Sequence, residues 1–158
     1  MYRVRYWSIR NAWWLSHLYR LWENLLVALH PVWQWIGYHR VEKVLEPVEG
    51  VVKGFLFDTH SCGQCTLGST GMACPMNCPK NLRNGPCGGV RADGSCEIKP
   101  EMTCVWVSAW EGSRKIRDGE QAIQVIQPPL DERSRGSSSW LNTVRQRVHE
   151  QSEGNNAV

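Results

Sequence analysis

The feature that most restricts how this chain can fold is a set of seven cysteines, all of which lie between Cys62 and Cys104. They follow the spacing Cys62-x2-Cys65-x8-Cys74-x3-Cys78-x8-Cys87-x8-Cys96-x7-Cys104. Because seven is an odd number, these cysteines cannot all pair as disulfides within one chain, and metal ligation fits better. Glycines and prolines are too dense from His60 to Gly94 for regular structure, so we expect a bound metal to organise this segment.

The strongest local signal is the Cys62-x2-Cys65 pair. A two-residue gap lets two thiolates reach one metal from a tight turn, and Gly63 removes a Cβ that would crowd that turn. Cys74 and Cys78 are each followed by a proline, as is one cluster-ligating cysteine of bacterial ferredoxins. This pattern favours a metal site with thiolate ligands.

The number of thiols leaves the metal and the number of centres open. Four thiolates complete one tetrahedral zinc site or one 4Fe–4S cluster, so the cofactor is either one or two 4Fe–4S clusters or zinc. The first-choice ligands of one centre are Cys62, Cys65, Cys74 and Cys78, and those of a second centre are Cys87, Cys96 and Cys104. His60 is a further candidate ligand that would bring the total to eight, although it also fits a surface residue or one that supports a ligand. Each cysteine also has the alternative of being a small buried hydrophobic residue.

The N-terminal segment is rich in tryptophan, with six of the nine tryptophans before residue 36. Apolar residues at spacings of three and four predict an amphipathic helix with an apolar stripe of Trp14, Leu18, Leu21, Leu25 and Leu29. We expect this helix to end near His30, because Pro31 disfavours helical geometry in the residue before it. The arm has three alternatives: packing on the cysteine-rich unit, docking on a partner protein, or lying on a membrane surface beside its arginines, which is less favoured. The candidate docking residues are Trp13, Trp14, Trp22, Trp33 and Trp35.

Composition divides the chain into a tryptophan-rich helical arm (1–47), a cysteine-rich metal-binding domain (48–112) and a polar, partly disordered tail (113–158). We predict a second short helix over His39–Leu45 and a short strand over Val51–Phe57. Pro128-Pro129 and the serines at 137–139 predict an extended tail, with disorder over Ser152–Val158. The predicted fold is therefore a small metal-stapled domain of helix and irregular structure with little β, flanked by the arm and an extended tail.

Charge and motifs exclude several functions. A net charge of +3 from 18 basic and 15 acidic residues is too balanced to indicate a nucleic-acid-binding protein. Polar residues interrupt the apolar stretch over 12–29, and the N-terminus lacks a secretory signal, so we expect a cytoplasmic protein. No phosphate-binding loop, nucleophile elbow or carboxylate pair stands out, which argues against a substrate site in this chain.

Several short blocks in order carry a family resemblance. They are Cys62-Gly63-Gln64-Cys65, Cys74-Pro75-Met76-Asn77-Cys78-Pro79-Lys80, Asn84-Gly85-Pro86-Cys87-Gly88-Gly89, Gly94-Ser95-Cys96-Glu97, Cys104-Val105-Trp106, Gln127-Pro128-Pro129 and Ser138-Ser139-Trp140-Leu141-Asn142. From about residue 42 to 142, the chain resembles the methylenetetrahydrofolate reductase C-terminal-domain family. That family includes the cysteine-rich small subunit of the two-subunit reductases of acetogens.

The resemblance implies a non-catalytic accessory subunit of an oxidoreductase complex in one-carbon, folate metabolism. Its partner would be a flavin-containing (β/α)8-barrel subunit of methylenetetrahydrofolate reductase type, with FAD or FMN in that partner and not in this chain. The family's metal-binding cysteines map onto all seven cysteines here. They would relay electrons to the partner's flavin, or brace the assembly if the metal is zinc. The arm before about residue 40 matches no feature of the family.

Overall fold

The computed structural model describes residues 2–156, and within that range the chain forms seven α-helices and two short 3-10 helices. The α-helices are α1 (Tyr2–Arg10), α2 (Ala12–Ala28), α3 (His30–Ile36), α4 (Tyr38–Phe57), α5 (Val105–Ser113), α6 (Gly119–Ala122) and α7 (Ser139–Asn156). The 3-10 helices cover Pro75–Asn77 and Glu132–Ser134. β-Structure in the described range is limited to two isolated antiparallel bridges, Val90 with Cys96 and Ser95 with Thr103. The prediction of a mostly helical small domain with little β is confirmed.

Helix α4 corrects the prediction of a strand over Val51–Phe57, which was wrong. The chain forms one helix over Tyr38–Phe57 in place of a short helix and a strand. The β-branched valines and the phenylalanines of this segment resemble a strand in composition, but tertiary packing overrides that preference. Pro47 lies inside α4, so the helix also runs across the boundary predicted between residues 47 and 48.

Helix α7 corrects the prediction of an extended tail. The segment from Ser139 to Asn156 is helical, and its first turn is buried through Trp140, Leu141 and Val144. The residues predicted to be disordered, Ser152–Val158, are therefore helical as far as Asn156, while Ala157 and Val158 lie outside the described residues. Packing against α2 and α4 gives this polar sequence the buried face that helix formation needs.

Helix α2 buries a different face from the apolar stripe. Its buried residues are Ala12, Leu15, Ser16, Tyr19 and Leu26. Four members of the stripe, Trp14, Leu18, Leu21 and Leu25, are between 39% and 68% exposed. The apolar surface of α2 thus continues around the helix onto the outside of the molecule.

The core forms two clusters of buried apolar residues. The larger joins α2, the end of α4, the cysteine-rich segment and α7 through Leu15, Tyr19, Leu26, Phe57, Leu67, Met72, Cys74, Ile116, Trp140 and Val144. The smaller contains Ile9, Ala73, Cys104, Trp106 and Ala109. None of the helices in the described range is both long enough and apolar enough to cross a membrane.

Candidate metal centre

The cysteine-rich segment begins where α4 ends. Asp58 ends the helix in the left-handed conformation and pairs with Arg5 of α1 at 2.6 Å. The Asp58 carbonyl accepts a hydrogen bond of 2.9 Å from Asn77 Nδ2, on the 3-10 helix between Cys74 and Cys78. These contacts hold the start of the segment against α1 and its 3-10 helix against the end of α4.

Three cysteines meet at one cavity. Cys62, Cys65 and Cys74 line it together with His60, while Glu49 and Lys53 form part of its helical wall. Its volume of about 30 Å³ corresponds to a single water-sized group. His60 Nε2 lies 2.9 Å from Asn77 Oδ1, which leaves Nδ1 as the ring nitrogen available for another contact.

Gly63 allows the Cys62-x2-Cys65 turn to pack tightly. Its φ of +72° is a left-handed conformation, and a Cβ at this position would lie 2.0 Å from the carbonyl oxygen of Ser134. Asn142 Nδ2 of α7 donates a hydrogen bond of 2.9 Å to the Gly63 carbonyl, and Gln64 Nε2 donates one of 3.3 Å to the Asp131 carbonyl. The segment before α7 therefore covers the turn that carries the first two cysteines.

Charged and polar groups surround Cys65. The Tyr19 hydroxyl of α2 donates to Cys65 Sγ at 3.2 Å. Burial raises the pKa of Tyr19 well above its ordinary value of 10.0, and the charge of Cys65 raises it further. Burial acts to lower the pKa of Lys53, but Cys65 and Glu49 act in the opposite direction, and the pKa of Lys53 is raised overall. The Tyr19 hydroxyl is thus directed at the sulfur of Cys65, and the positive charge of Lys53 lies nearby.

Cys74 is a buried thiol at this cavity. Burial raises its pKa from 9.0 to about 12, and the charges of Cys65 and Cys62 raise it further. Cys74 is therefore a neutral thiol in the metal-free chain, and a cation close to these three sulfurs would favour their thiolate forms. The donors thus fit a thiolate-bound metal in their chemistry.

The side chains around the cavity do not form a complete set of metal ligands in their present positions. In the part of the chain that the structure describes, no group of three or more His, Cys, Asp or Glu side chains is arranged to hold a metal ion. A metal bound here would have to draw the thiols of Cys62, Cys65 and Cys74 together. Ligation by the seven cysteines and by His60 therefore stays a prediction.

The other four cysteines lie away from this cavity. Cys78 is buried directly after the 3-10 helix, and Cys104 is buried in the smaller core cluster, directly before α5. Cys96 is half-buried, and its backbone pairs with that of Val90. Cys87 is also half-buried. Glu97 raises the pKa of the nearby Lys80 amine most, and Cys87 raises it further. The structure thus brings three of the seven cysteines to one cavity and spreads the rest along the irregular segment.

The candidate docking tryptophans are placed unequally. Trp13, Trp14, Trp22 and Trp35 are exposed, with Trp35 reaching 87%. Trp33 packs against the core, and its Nε1 donates to the Leu26 carbonyl at 2.9 Å. Trp22 packs edge-on against buried Trp140 with ring centroids 5.4 Å apart. Four of the five therefore offer indole surface to a partner.

Sequence reasoning missed Tyr19, Glu49 and Lys53. Tyr19 lies in the arm, far along the chain from any cysteine, and no spacing rule connects it with Cys65. Glu49 and Lys53 carried a signal, since a Glu–Lys pair four residues apart within an apolar helix points to a buried ion pair. The prediction of a strand from Val51 concealed that spacing.

Fold and site together define a small, mostly helical domain with a cysteine-rich irregular segment between α4 and α5. Residues 38–133 match the family described as methylene-tetrahydrofolate reductase C terminal. Since the match covers more than half of the chain, the protein belongs to that family. No curated protein and no solved structure matches the chain. The residues of α1, α2 and α3 precede the matched region.

Proposed function

We propose that this chain is a metal-carrying accessory subunit that relays electrons to the flavin of a methylenetetrahydrofolate reductase-type partner. The observation that supports this most is the family match over residues 38–133, which includes all seven cysteines. Cys62, Cys65 and Cys74 around one cavity are the thiols that would begin such a centre. A bound iron–sulfur cluster would supply one-electron chemistry, and the protein's part would be to hold, shield and tune it.

The residues around the cavity suit that part. The Tyr19 hydroxyl donates to the Cys65 sulfur and Lys53 adds a positive charge nearby, which together would offset the negative charge of a thiolate-bound centre. The segment covering Gly63 limits access of water from that side. The partner would be a flavin-containing (β/α)8-barrel subunit, and this chain would have no substrate site of its own.

A structural zinc site is the second candidate, and the donors at the cavity favour it. Cys62, Cys65, Cys74 and His60 make up a set of three thiols and one imidazole, which suits a single tetrahedral zinc ion. Zinc would then hold the irregular segment together, and the chain would act as a scaffold for the flavin-containing subunit.

The outer face of the arm is the surface we assign to the partner. Exposed Leu18 and Trp22 of α2 and Val48 and Val52 of α4 border an apolar groove of about 360 Å³. Exposed apolar surface of this kind marks protein interfaces, and tryptophan is enriched among the residues that dominate their binding energy. Burial of this groove by the reductase subunit would give the unmatched arm a role within the family's assembly.

Anaerobic co-purification with the tagged full-length chain tests the function. We expect the partner, identified by mass spectrometry, to be a flavin-containing barrel protein, and the isolated complex to pass electrons between an artificial dye and that flavin. The Cys65→Ser variant is expected to bind the same partner and to lose the electron transfer. Equal transfer in Cys65→Ser would overturn the relay and leave the scaffold role.

A further inference from the structure

Tyr19 is the residue through which the arm contacts Cys65. Its side chain is only 8% exposed, and its hydroxyl lies 3.2 Å from Cys65 Sγ across 46 residues of sequence. The ring lies under the ammonium group of Lys53, whose Nζ is 5.2 Å from the ring centroid. Tyr19 therefore lies in the arm by sequence but contacts Cys65 and Lys53, two residues that line the cavity.

The surroundings of Tyr19 fix this contact. Leu15 and Leu26 on the same face of α2 are buried in the larger core cluster, so the helix cannot rotate without exposing them. Lys53 is held from the other side by Glu49 at 2.8 Å and by the Ser139 hydroxyl at 2.7 Å. The tyrosine hydroxyl is consequently positioned by packing and not by a flexible surface side chain.

We propose that Tyr19, supported by Lys53, is a positioning residue for the metal centre: its hydroxyl donates to the Cys65 thiolate and so fixes the orientation and charge of that ligand. This inference rests on the proposed function, because it requires a metal on Cys65. A donor to a ligating sulfur holds that ligand in its binding orientation, which retains the metal, and it lowers the negative charge at the centre, which favours the reduced state of a redox centre. Helix α2, which precedes the family match, would thereby influence the centre.

Tyr38 provides a matched control. It also lies in the N-terminal half, and its hydroxyl pairs with the His30 ring. The partner of its hydroxyl is thus a histidine and not a cysteine. Tyr38→Phe therefore removes a hydroxyl of the same kind at a distance from the cysteines, whereas Tyr19→Phe removes the hydroxyl that faces Cys65 and keeps the packed ring.

The test uses the full-length, metal-loaded protein and measures metal release to an excess of chelator, with the reduction potential measured if the metal is iron. We expect Tyr19→Phe to release metal about 10-fold faster than the wild-type protein, as is typical when a supporting hydrogen bond is lost. An iron–sulfur centre in that variant would also shift to a more negative potential. Tyr38→Phe is expected to match the wild-type protein in both measurements.

The outcomes separate this inference from the proposed function. Wild-type protein that binds metal, with Tyr19→Phe releasing it at the same rate, overturns the inference alone. Wild-type protein without iron or zinc overturns both. Should Tyr19→Phe fail to fold, 3-fluorotyrosine at position 19 keeps the shape of the ring and makes the hydroxyl a stronger donor. Slower release from that protein supports the inference, and an unchanged rate overturns it.

Discussion

Lys53 and Glu49, one turn apart on α4, form an ion pair of 2.8 Å in which both side chains are less than a tenth exposed. Glu49 also accepts hydrogen bonds from Ser138, from Ser139 and, at 3.3 Å, from the backbone N–H of Trp140. One carboxylate thus neutralises the buried ammonium and accepts the Trp140 N–H in the first turn of α7. The same ion pair forms part of the wall of the cysteine cavity.

Replacing Glu49 tests the importance of this pair. Glu49→Gln keeps an acceptor for the serines but leaves the Lys53 ammonium buried without its carboxylate. We expect the free energy of unfolding to fall by about 3 kcal/mol, measured by urea denaturation followed by circular dichroism. Glu42→Gln is the control, because Glu42 also lies on α4 and pairs with Arg145 of α7 at a more exposed position. That control is expected to cost less than about 1 kcal/mol, and equal losses in the two variants would contradict the account.

The close approach of Gly71 to α5 gives a second prediction. Gly71 has a φ of +58°, and a Cβ there would lie 2.1 Å from the backbone nitrogen of Ser113. We expect Gly71→Ala to lower the free energy of unfolding by about 2 kcal/mol or more, since neither backbone can move away without disturbing the core. Gly68→Ala, where nothing lies within 4 Å of the added Cβ, is expected to change it by less than about 0.5 kcal/mol. Similar urea midpoints for the two variants would argue against this packing.

A third prediction concerns pH in the reduced, metal-free protein. The pKa of the Cys74 thiol is about 12 in the folded chain against an ordinary value of 9.0. Because the folded pKa is the higher one, this thiol stabilises the fold fully below pH 9, and its contribution is lost as the pH rises toward 12. Between pH 9 and 10, we expect the free energy of unfolding to fall by about 1 kcal/mol more in the wild-type protein than in Cys74→Ala. Parallel curves for the two proteins would show that Cys74 is not a buried neutral thiol.

Trp22 tests the docking surface. It is exposed at the groove between α2 and α4, so we expect Trp22→Ala to weaken binding of the reductase subunit by about 2 kcal/mol, or roughly 30-fold. Titration calorimetry with the purified partner measures this, and metal content is expected to stay unchanged. Trp110→Ala is the control, since Trp110 is similarly exposed on α5, outside the arm. A partner that binds Trp22→Ala with full affinity would place the interface elsewhere.

Much of this organisation was readable from the sequence, and the limits have physical causes. The irregular character of the cysteine-rich segment follows from its glycines and prolines, and the helical arm follows from its spacing. The face that α2 buries does not follow from the sequence. Helix α2 is apolar around most of its circumference, and its packing partner, α7, lies more than a hundred residues further along the chain. Spacing therefore identified the apolar stripe but not which side of the helix faces the core.

The candidate metal centre was also predictable from the sequence only in part. The Cys62-x2-Cys65 turn and its requirement for glycine were predictable from local geometry, and the φ of Gly63 agrees. The approach of Cys74 to that pair depends on how the eight residues between Cys65 and Cys74 fold. The approach of Tyr19 to Cys65 depends on how α2 packs. Contacts between distant segments of this kind are set by the core and leave no spacing pattern in a single sequence.

The central claim is that the cysteines hold a metal centre, and metal content tests it most directly. The measurement is iron, zinc and acid-labile sulfide per chain, with a visible absorption spectrum, on full-length protein purified anaerobically with its partner. The account predicts iron and sulfide near four or eight per chain, or zinc near one or two without sulfide if the scaffold role holds. Protein that is folded, bound to its partner and free of both metals would contradict it.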